Sequence, residues 1–314
     1  MAPNLRFEGF TTNSLGTRGA EPDPAAAERI LVLGDSMALG AEVRDGETLC
    51  ALLEGALGPT CQVFDSGCPG YGPREELAAL RAARPRAAPH SRRRLLFAGN
   101  DFLDAGQDGP TYRVVAGRLV SEKKYQETGA VTRAFKNALA SAWSLGLVRA
   151  VRRISEKPQP SAAEHHDIGP SGMDSGQIRS ILELDDYTQA FSRGEPLIAK
   201  GWQRMPEHFT KIREECARIG AKLTVALLPL PIAFDPGLRE RLAKRWKVGP
   251  RSIDAERPQR KMLELLRSLG IDALDLAPPL KDDGGGGKLH LPGDLHYSTA
   301  GHRAVAGALA RHLR

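Results

Sequence analysis

Five residues spread along the chain have the side chains or backbone that acyl transfer from a serine requires. Ser36 carries a hydroxyl that could attack an ester carbonyl, and His296 carries an imidazole that could take its proton. Asp294 supplies a carboxylate two residues earlier, which could orient that imidazole. The oxyanion needs N–H donors, and the backbone of Ser36, the backbone of Gly70 and the side-chain amide of Asn100 are suitable. The set predicts a nucleophile, a general base and an oxyanion hole.

Four of these residues also have a purely structural interpretation. Ser36 could be only a helix N-cap, Gly70 a turn glycine, Asn100 a loop cap and His296 a surface histidine. The chemical interpretation has its own reasons. Gly70 has no side chain to block a carbonyl from its amide, and Asn100 donates without taking the proton of the imidazole. Asp35 is expected to hold the turn before Ser36 by hydrogen bonds.

The elements that would bring these residues together are the strands of a parallel sheet. Residues 30–33 are apolar in succession, which is typical of a strand buried on both faces, and Gly34-Asp35-Ser36 follows where the strand ends. Further strands are predicted at 61–64, 95–98, 223–228 and 273–276. Helices are predicted at 47–57, from 73 onward, and at 131–154, 206–218, 257–269 and 299–313. Open α/β sheets bind ligands at the carboxyl edge, so we expect the site there.

The spacing of these elements predicts three parts of the chain. Residues 1–28 are polar and rich in Gly, Pro and Ala, and we expect an irregular arm that packs on the domain. Residues 29–105 and 201–314 form the α/β domain. Residues 106–200 far exceed one crossover connection and form an insertion, or cap, with a helix and with a loop at 155–177 that we expect to be mobile.

Composition excludes several classes of function. The chain has 314 residues, of which 41% are hydrophobic and 26% charged, as in ordinary soluble proteins. The formal net charge is +6, but the basic clusters lack interleaved aromatic residues, which favours a solvated surface over a nucleic-acid site. No stretch approaches the roughly 20 apolar residues of a membrane span. The first residues show no apolar signal segment, so we expect a cytoplasmic protein.

Cysteines and histidine clusters offer little further chemistry. No C-x-x-C pair occurs, and we expect four free thiols, with Cys61–Cys68 as the one bridge to check. Residues 164–167 have the sequence Glu-His-His-Asp and invite a metal interpretation. No partner cluster with ligand spacing accompanies them, so a solvated loop is the favoured interpretation.

The order of the motifs resembles a known family. Gly34-Asp35-Ser36, then Gly70 within Pro-Gly-Tyr, then Gly99-Asn100-Asp101, then Asp294 with His296 resemble the four ordered blocks of the GDSL, or SGNH, hydrolase superfamily. The resemblance implies an α/β fold, a three-layer α/β/α sandwich on a flavodoxin-like five-strand parallel sheet. It also implies serine esterase or acyltransferase chemistry without a metal or organic cofactor. The usual spacing is Asp-x-x-His, whereas this chain has Asp-x-His.

Carried over to this chain, the resemblance assigns a role to each candidate residue. Ser36 would be the nucleophile, His296 the general base and acid, and Asp294 its orienting carboxylate, while Gly70 and Asn100 would complete the oxyanion hole. We expect a serine O-ester hydrolase whose substrate is an acyl ester of a small molecule or a carbohydrate. One alternative is an O-acyltransferase that uses the same residues. Another is a non-catalytic binding module. Neither nucleic acid nor a membrane span is expected.

Overall fold

The computed structural model describes residues 4, 6–7, 10–83, 93–98, 101–106, 112–115, 118–121, 195–247, 249, 253–282, 289–291 and 296–314. The chain forms two compact units, one of Met1–Gly106 with Ile168–Arg314 and one of Gln107–Asp167. The predicted helix at 131–154 and the loop at 155–177, with its Glu-His-His-Asp segment, lie outside the described residues.

The strands are short and are spread over the whole chain. They are β1 (Arg6–Phe7), β2 (Phe10–Thr11), β3 (Glu28–Leu33), β4 (Cys61–Asp65), β5 (Arg93–Ala98), β6 (Tyr112–Val115), β7 (Arg118–Ser121), β8 (Lys222–Leu227) and β9 (Asp272–Asp275). Five of them form one parallel sheet in the order β4-β3-β5-β8-β9. This is the flavodoxin-like order of a doubly wound sheet, so the predicted fold class is confirmed. In the second unit, β6 and β7 pair as an antiparallel hairpin.

The helices connect these strands. They are α1 (Ser36–Leu39), α2 (Leu49–Leu57), α3 (Pro73–Ala83), α4 (Asp101–Gly106), α5 (Glu195–Arg218), α6 (Pro236–Trp246), α7 (Arg257–Ser268), α8 (Ala277–Asp282) and α9 (Thr299–Leu313). The first and last residues of the predicted strands of the sheet differ by at most two positions from those of the observed strands. Helices α6 and α8 were not predicted.

The interior strand β3, which pairs with β4 and β5, explains why local sequence locates the sheet so well. Its residues Ile30 to Leu33 are at most 1% exposed, because helices cover both faces of the sheet. Each such side chain contributes about 1.5–3 kcal/mol when it leaves water, which favours a strand over any exposed alternative. The apolar run therefore predicts a buried strand even when the adjacent strands of the sheet are not known.

Helix α5 begins at Glu195, so the predicted start at Pro206 is wrong. A proline inside a helix removes one backbone hydrogen bond and costs about 3 kcal/mol. Met205, Phe209 and Ile212 lie on one face of α5 and are fully buried, and α5 packs against α3 and α4. Burial of this face outweighs the cost of the proline. The predicted domain boundary between residues 200 and 201 falls inside this continuous helix.

The N-terminal arm is more regular than predicted. Strands β1 and β2 pair with each other, and Arg18 forms isolated bridges with Thr12 and with Asp65 at the end of β4. Asn13 and Arg18 are each 3% exposed, so the arm contributes polar residues to the interior of the domain. The prediction of an irregular surface arm is therefore wrong in this respect.

All four cysteines are buried and free, as predicted, and Cys61 and Cys68 are not bridged. Burial raises the pKa of Cys61 and of Cys216 to about 11, because a thiolate is poorly solvated inside the protein. These thiols are consequently poor nucleophiles at neutral pH. Among the described helices, none is long and apolar enough to cross a membrane.

Candidate active site

Ser36 is the first residue of α1 and follows β3 after a two-residue turn. Asp35 is the N-cap of this helix, and its Oδ1 accepts a hydrogen bond from the backbone N–H of Met37 at 2.8 Å. The Asp35 carbonyl accepts a second bond from the Leu39 N–H at 3.2 Å. The predicted role of Asp35 in holding this turn is confirmed. The turn leaves Ser36 half-buried at the carboxyl edge of the sheet.

His296 faces this hydroxyl from the other end of the chain. Its Nε2 lies 2.8 Å from Ser36 Oγ, although 260 positions separate the two residues in the sequence. This is the normal distance of a hydrogen bond, and it is the contact that a general base needs with a serine nucleophile. The structure therefore brings together the predicted nucleophile and the predicted base.

Three contacts hold the segment around His296. The His296 carbonyl accepts a bond from the Leu291 N–H at 2.9 Å, and the Ser298 N–H donates to the Leu289 carbonyl at 2.8 Å. The Ser298 side chain then caps α9 by accepting a bond from the Gly301 N–H. A strand-like bridge and a capped helix thus flank the imidazole and limit its movement.

Tyr297 anchors the same segment in the protein interior. It is 1% exposed, and its ring stacks on that of His290 with centroids 4.5 Å apart. Burial of this aromatic ring holds the backbone next to His296 in place. Sequence analysis did not single out Tyr297. The signal was available, since a tyrosine directly after a candidate catalytic histidine is an obvious anchor.

Glu42 is the carboxylate that the described residues place beside the second ring nitrogen. Its Oε1 lies 3.4 Å from His296 Nδ1, within the range of an ion pair. The His296 side chain is 13% exposed and that of Glu42 is 26% exposed, so water screens this contact only in part. Sequence analysis assigned the carboxylate to Asp294 and overlooked Glu42. Asp294 lies outside the described residues, so its role stays a prediction.

Gly70, one of the predicted oxyanion donors, lies in the loop after β4. Its φ is +72°, a left-handed conformation that favours glycine. The same loop is tied to the nucleophile turn, because the Cys68 N–H donates to the Gly34 carbonyl at 3.1 Å. Asn100 lies outside the described residues. The assignment of the oxyanion hole to Ser36, Gly70 and Asn100 therefore stays a prediction.

Gly67 is a second glycine of this loop that sequence analysis passed over. A Cβ at this position would lie 2.6 Å from the Leu39 amide nitrogen and 3.0 Å from the Asp35 carbonyl oxygen. Only a glycine allows the loop to approach the nucleophile turn so closely. Its N–H also donates to Asp65 Oδ1 at 2.8 Å.

His302 lies near the site but has a structural role, as the sequence suggested. It is 1% exposed, and its Nδ1 accepts a hydrogen bond from the Leu49 N–H at 3.1 Å. Burial lowers the pKa of His302 to about 4, because the charged ring would be poorly solvated. The ring is consequently neutral at pH 7, and it contributes packing rather than charge.

Comparison with known proteins relates part of this chain to a family. Residues 188–314 match the family model described as "SGNH hydrolase-like domain, acetyltransferase AlgX". The matched range includes His296 and ends at the C-terminus. A search of curated protein sequences gives no significant match.

Several solved structures are similar to the whole chain at low sequence identity. A member of the lipolytic protein G-D-S-L family from Veillonella parvula is 12% identical, with 91% of this chain and 97% of that chain covered and a TM-score of 0.44. The aryl esterase of M. smegmatis is 14% identical, with 92% and 99% covered and a TM-score of 0.43. The lipase/acylhydrolase from Enterococcus faecalis is 12% identical, with 91% and 95% covered and a TM-score of 0.42.

Proposed function

We propose that this chain, whose residues 188–314 match an SGNH hydrolase-like domain, is a serine O-ester hydrolase of the SGNH superfamily. Its substrate would be an acyl ester of a small molecule or a carbohydrate. One observation carries the proposal, namely the 2.8 Å between Ser36 Oγ and His296 Nε2. Through this contact the imidazole can accept the proton of the hydroxyl as the serine attacks a carbonyl carbon.

The mechanism follows from this contact. Ser36 Oγ attacks the ester carbonyl while His296 Nε2 accepts its proton, and a tetrahedral intermediate forms. The negative oxygen of this intermediate is stabilised by N–H donors, for which the Ser36 and Gly70 amides and the Asn100 side chain are the candidates. His296 then returns the proton to the leaving alcohol. Water, activated by the same ring, releases the acid and restores Ser36.

O-Acyl transfer with the same residues is the second candidate. It differs only in the last step, because an acceptor alcohol rather than water attacks the acyl-enzyme. The observation that favours it is the description of the matched family model, which names an acetyltransferase. The Ser36–His296 contact serves either reaction equally well, so the choice depends on the acceptor.

Labelling with a fluorophosphonate tests whether Ser36 is a nucleophile. The wild-type protein should be labelled at Ser36 and should hydrolyse a short-chain aryl ester, whereas Ser36→Ala should do neither. Loss of the nucleophile in such enzymes removes nearly all of the rate enhancement. Ser66→Ala is the matched control, since this serine follows β4 at the same edge of the sheet. Ester turnover by Ser36→Ala equal to that of wild type would refute the proposal.

Product analysis separates the two reactions. The enzyme is incubated with an isotopically labelled acetyl ester, with and without sugar or polyol acceptors, and the products are separated by mass. A hydrolase releases labelled acetate at a rate that the acceptor does not change. A transferase moves the label to the acceptor, and free acetate falls in proportion.

A further inference from the structure

The loop of residues 40–45, which follows α1, is held by one side chain of the N-terminal arm. The Arg18 guanidinium donates to the carbonyls of Leu39, Gly40 and Val43 at 2.6–2.7 Å. Its Nε donates to Asp45 Oδ1 at 2.8 Å. Arg18 is 3% exposed, so the three bonds to backbone carbonyls form out of contact with water, whereas the Asp45 side chain is 38% exposed. The guanidinium of an arginine presents five N–H donors in a fixed planar fork, whereas the three donors of a lysine radiate from one compact nitrogen.

Contacts from the arm to this loop continue beyond Arg18. Thr11 donates to Asp45 Oδ2 through both its backbone N–H and its hydroxyl, at 3.2 and 3.0 Å. The Arg18 guanidinium also lies over the ring of Phe10, 5.1 Å from its centroid. The arm therefore fixes both ends of the loop that carries Glu42.

We propose that Glu42 is a positioning residue for His296, and that Arg18 positions Glu42 by holding the 40–45 loop. The inference rests on the proposed function, because it concerns the general base of that reaction. The motif Asn13-Ser14-Leu15-Gly16-Thr17-Arg18 would then serve the active site from the arm, without contact with the substrate.

The tautomer of the imidazole decides whether His296 can act as the base. His296 can accept the Ser36 proton at Nε2 only if the ring proton resides on Nδ1. The Glu42 carboxylate, 3.4 Å from Nδ1, favours this tautomer and stabilises the positive ring formed during attack. Among the described residues, the other titratable groups to consider at the ring are the neutral His302 and the Ser36 hydroxyl. Glu42 supplies a negative charge from the 40–45 loop.

Glu42→Gln is the first test, with Glu47→Gln as its control. Both variants remove one charge from the same part of the chain, but the Glu47 carboxylate accepts a bond from the Arg44 N–H, away from the ring. Glu42→Gln should lower kcat about tenfold with KM unchanged, since Glu42 acts on the base and not on the substrate. Glu47→Gln should stay within about twofold of wild type. Equal rates for the two variants would overturn the inference.

Titration of the His296 ring by NMR gives a readout that is independent of turnover. A nearby carboxylate favours the protonated ring, so Glu42→Gln should lower the midpoint of His296 by about half a pH unit or more. The acid limb of the activity profile should move in the same direction. His296→Ala identifies the signal. An unchanged midpoint would overturn the inference while Ser36 labelling, and hence the proposed function, still holds. Conversely, a shifted midpoint without Ser36 labelling would remove the proposed function alone.

A double-mutant cycle tests whether Arg18 acts through Glu42. Arg18→Lys retains the charge but cannot reach all of the carbonyls, and it should lower kcat about threefold or more in wild type. In the Glu42→Gln background the further loss should be less than twofold. If Arg18→Lys lowers kcat as much in the Glu42→Gln background as in wild type, Arg18 does not act through Glu42. If Arg18→Lys does not fold, Asp45→Asn weakens the same attachment from a residue nearer the surface.

Discussion

Gly301 in the first turn of α9 is a position where one added methyl group should be costly. A Cβ on Gly301 would lie 2.1 Å from the Leu289 carbonyl oxygen and 2.6 Å from Tyr297 Cδ1. That carbonyl cannot move freely, because it accepts bonds from the Ser298 N–H and from the Ser298 hydroxyl. Helix α9 or the segment before it must therefore shift by about 1 Å to restore normal van der Waals distances.

The size of the effect follows from two opposing contributions. Overpacking of a rigid site costs about 1–3 kcal/mol, and a contact with fixed backbone lies at the upper end of this range. The better helix propensity of alanine returns at most about 1 kcal/mol. We therefore expect Gly301→Ala to lower the free energy of unfolding by about 2 kcal/mol, and the apparent Tm by about 4–8 °C.

Gly307→Ala on the same helix is the matched control. Its Cβ would meet only Arg311 Nη1, at 3.7 Å, which is an ordinary contact. With no clash to offset the gain in helix propensity, this variant should be more stable than wild type by up to about 1 kcal/mol.

Thermal denaturation followed by circular dichroism measures both variants. The displaced segment carries His296, so Gly301→Ala should also react more slowly with a fluorophosphonate, whereas Gly307→Ala should not. The reasoning fails if Gly301→Ala melts at or above the wild-type temperature, because the packing around Leu289 would then be looser than the structure indicates.

Two further predictions concern buried residues elsewhere. Burial raises the pKa of Asp65 to about 7, so the native state holds this proton more tightly than the unfolded chain, and stability should fall by up to roughly 1 kcal/mol per pH unit as pH rises from about 4 to 7. Asp65→Asn should flatten this dependence in urea denaturation at pH 5 and pH 8, and an unchanged slope would contradict it. Phe209→Ala, at a side chain that is 0% exposed, should cost about 3–5 kcal/mol. Glu207→Ala on the exposed face of the same helix should change stability by less than about 1 kcal/mol, and similar urea midpoints for the two variants would refute the packing of α5.

Much of the fold could be predicted from local patterns in the sequence. An apolar run such as Ile30 to Leu33 predicts a buried strand, and Gly34-Asp35 after it predicts a turn. Both predictions depend only on residues that are adjacent in the sequence. The parallel arrangement then requires that strand ends meet at one edge. That constraint predicts a site at the edge where Ser36 lies, and the resemblance of the ordered motifs to the SGNH superfamily added His296 to the same site.

The structure corrected the predictions where distant segments meet. The start of α5 at Glu195 depends on packing against α3 and α4, which overrides the local signal of Pro206. Gly67 differs from a simple turn glycine because a Cβ there would lie 2.6 Å from the Leu39 amide nitrogen of α1. Neither contact leaves a periodic pattern in the sequence.

The surroundings of the imidazole show this division most clearly. The residue types and their order predicted that Ser36 and His296 would lie together, because a hydroxyl and an imidazole are the pair that acyl transfer from a serine requires. Only the tertiary structure decided that Glu42 faces Nδ1 and that Arg18 holds the loop that carries it. The position of a loop depends on the sum of many weak contacts between segments, and no short stretch of sequence contains that sum.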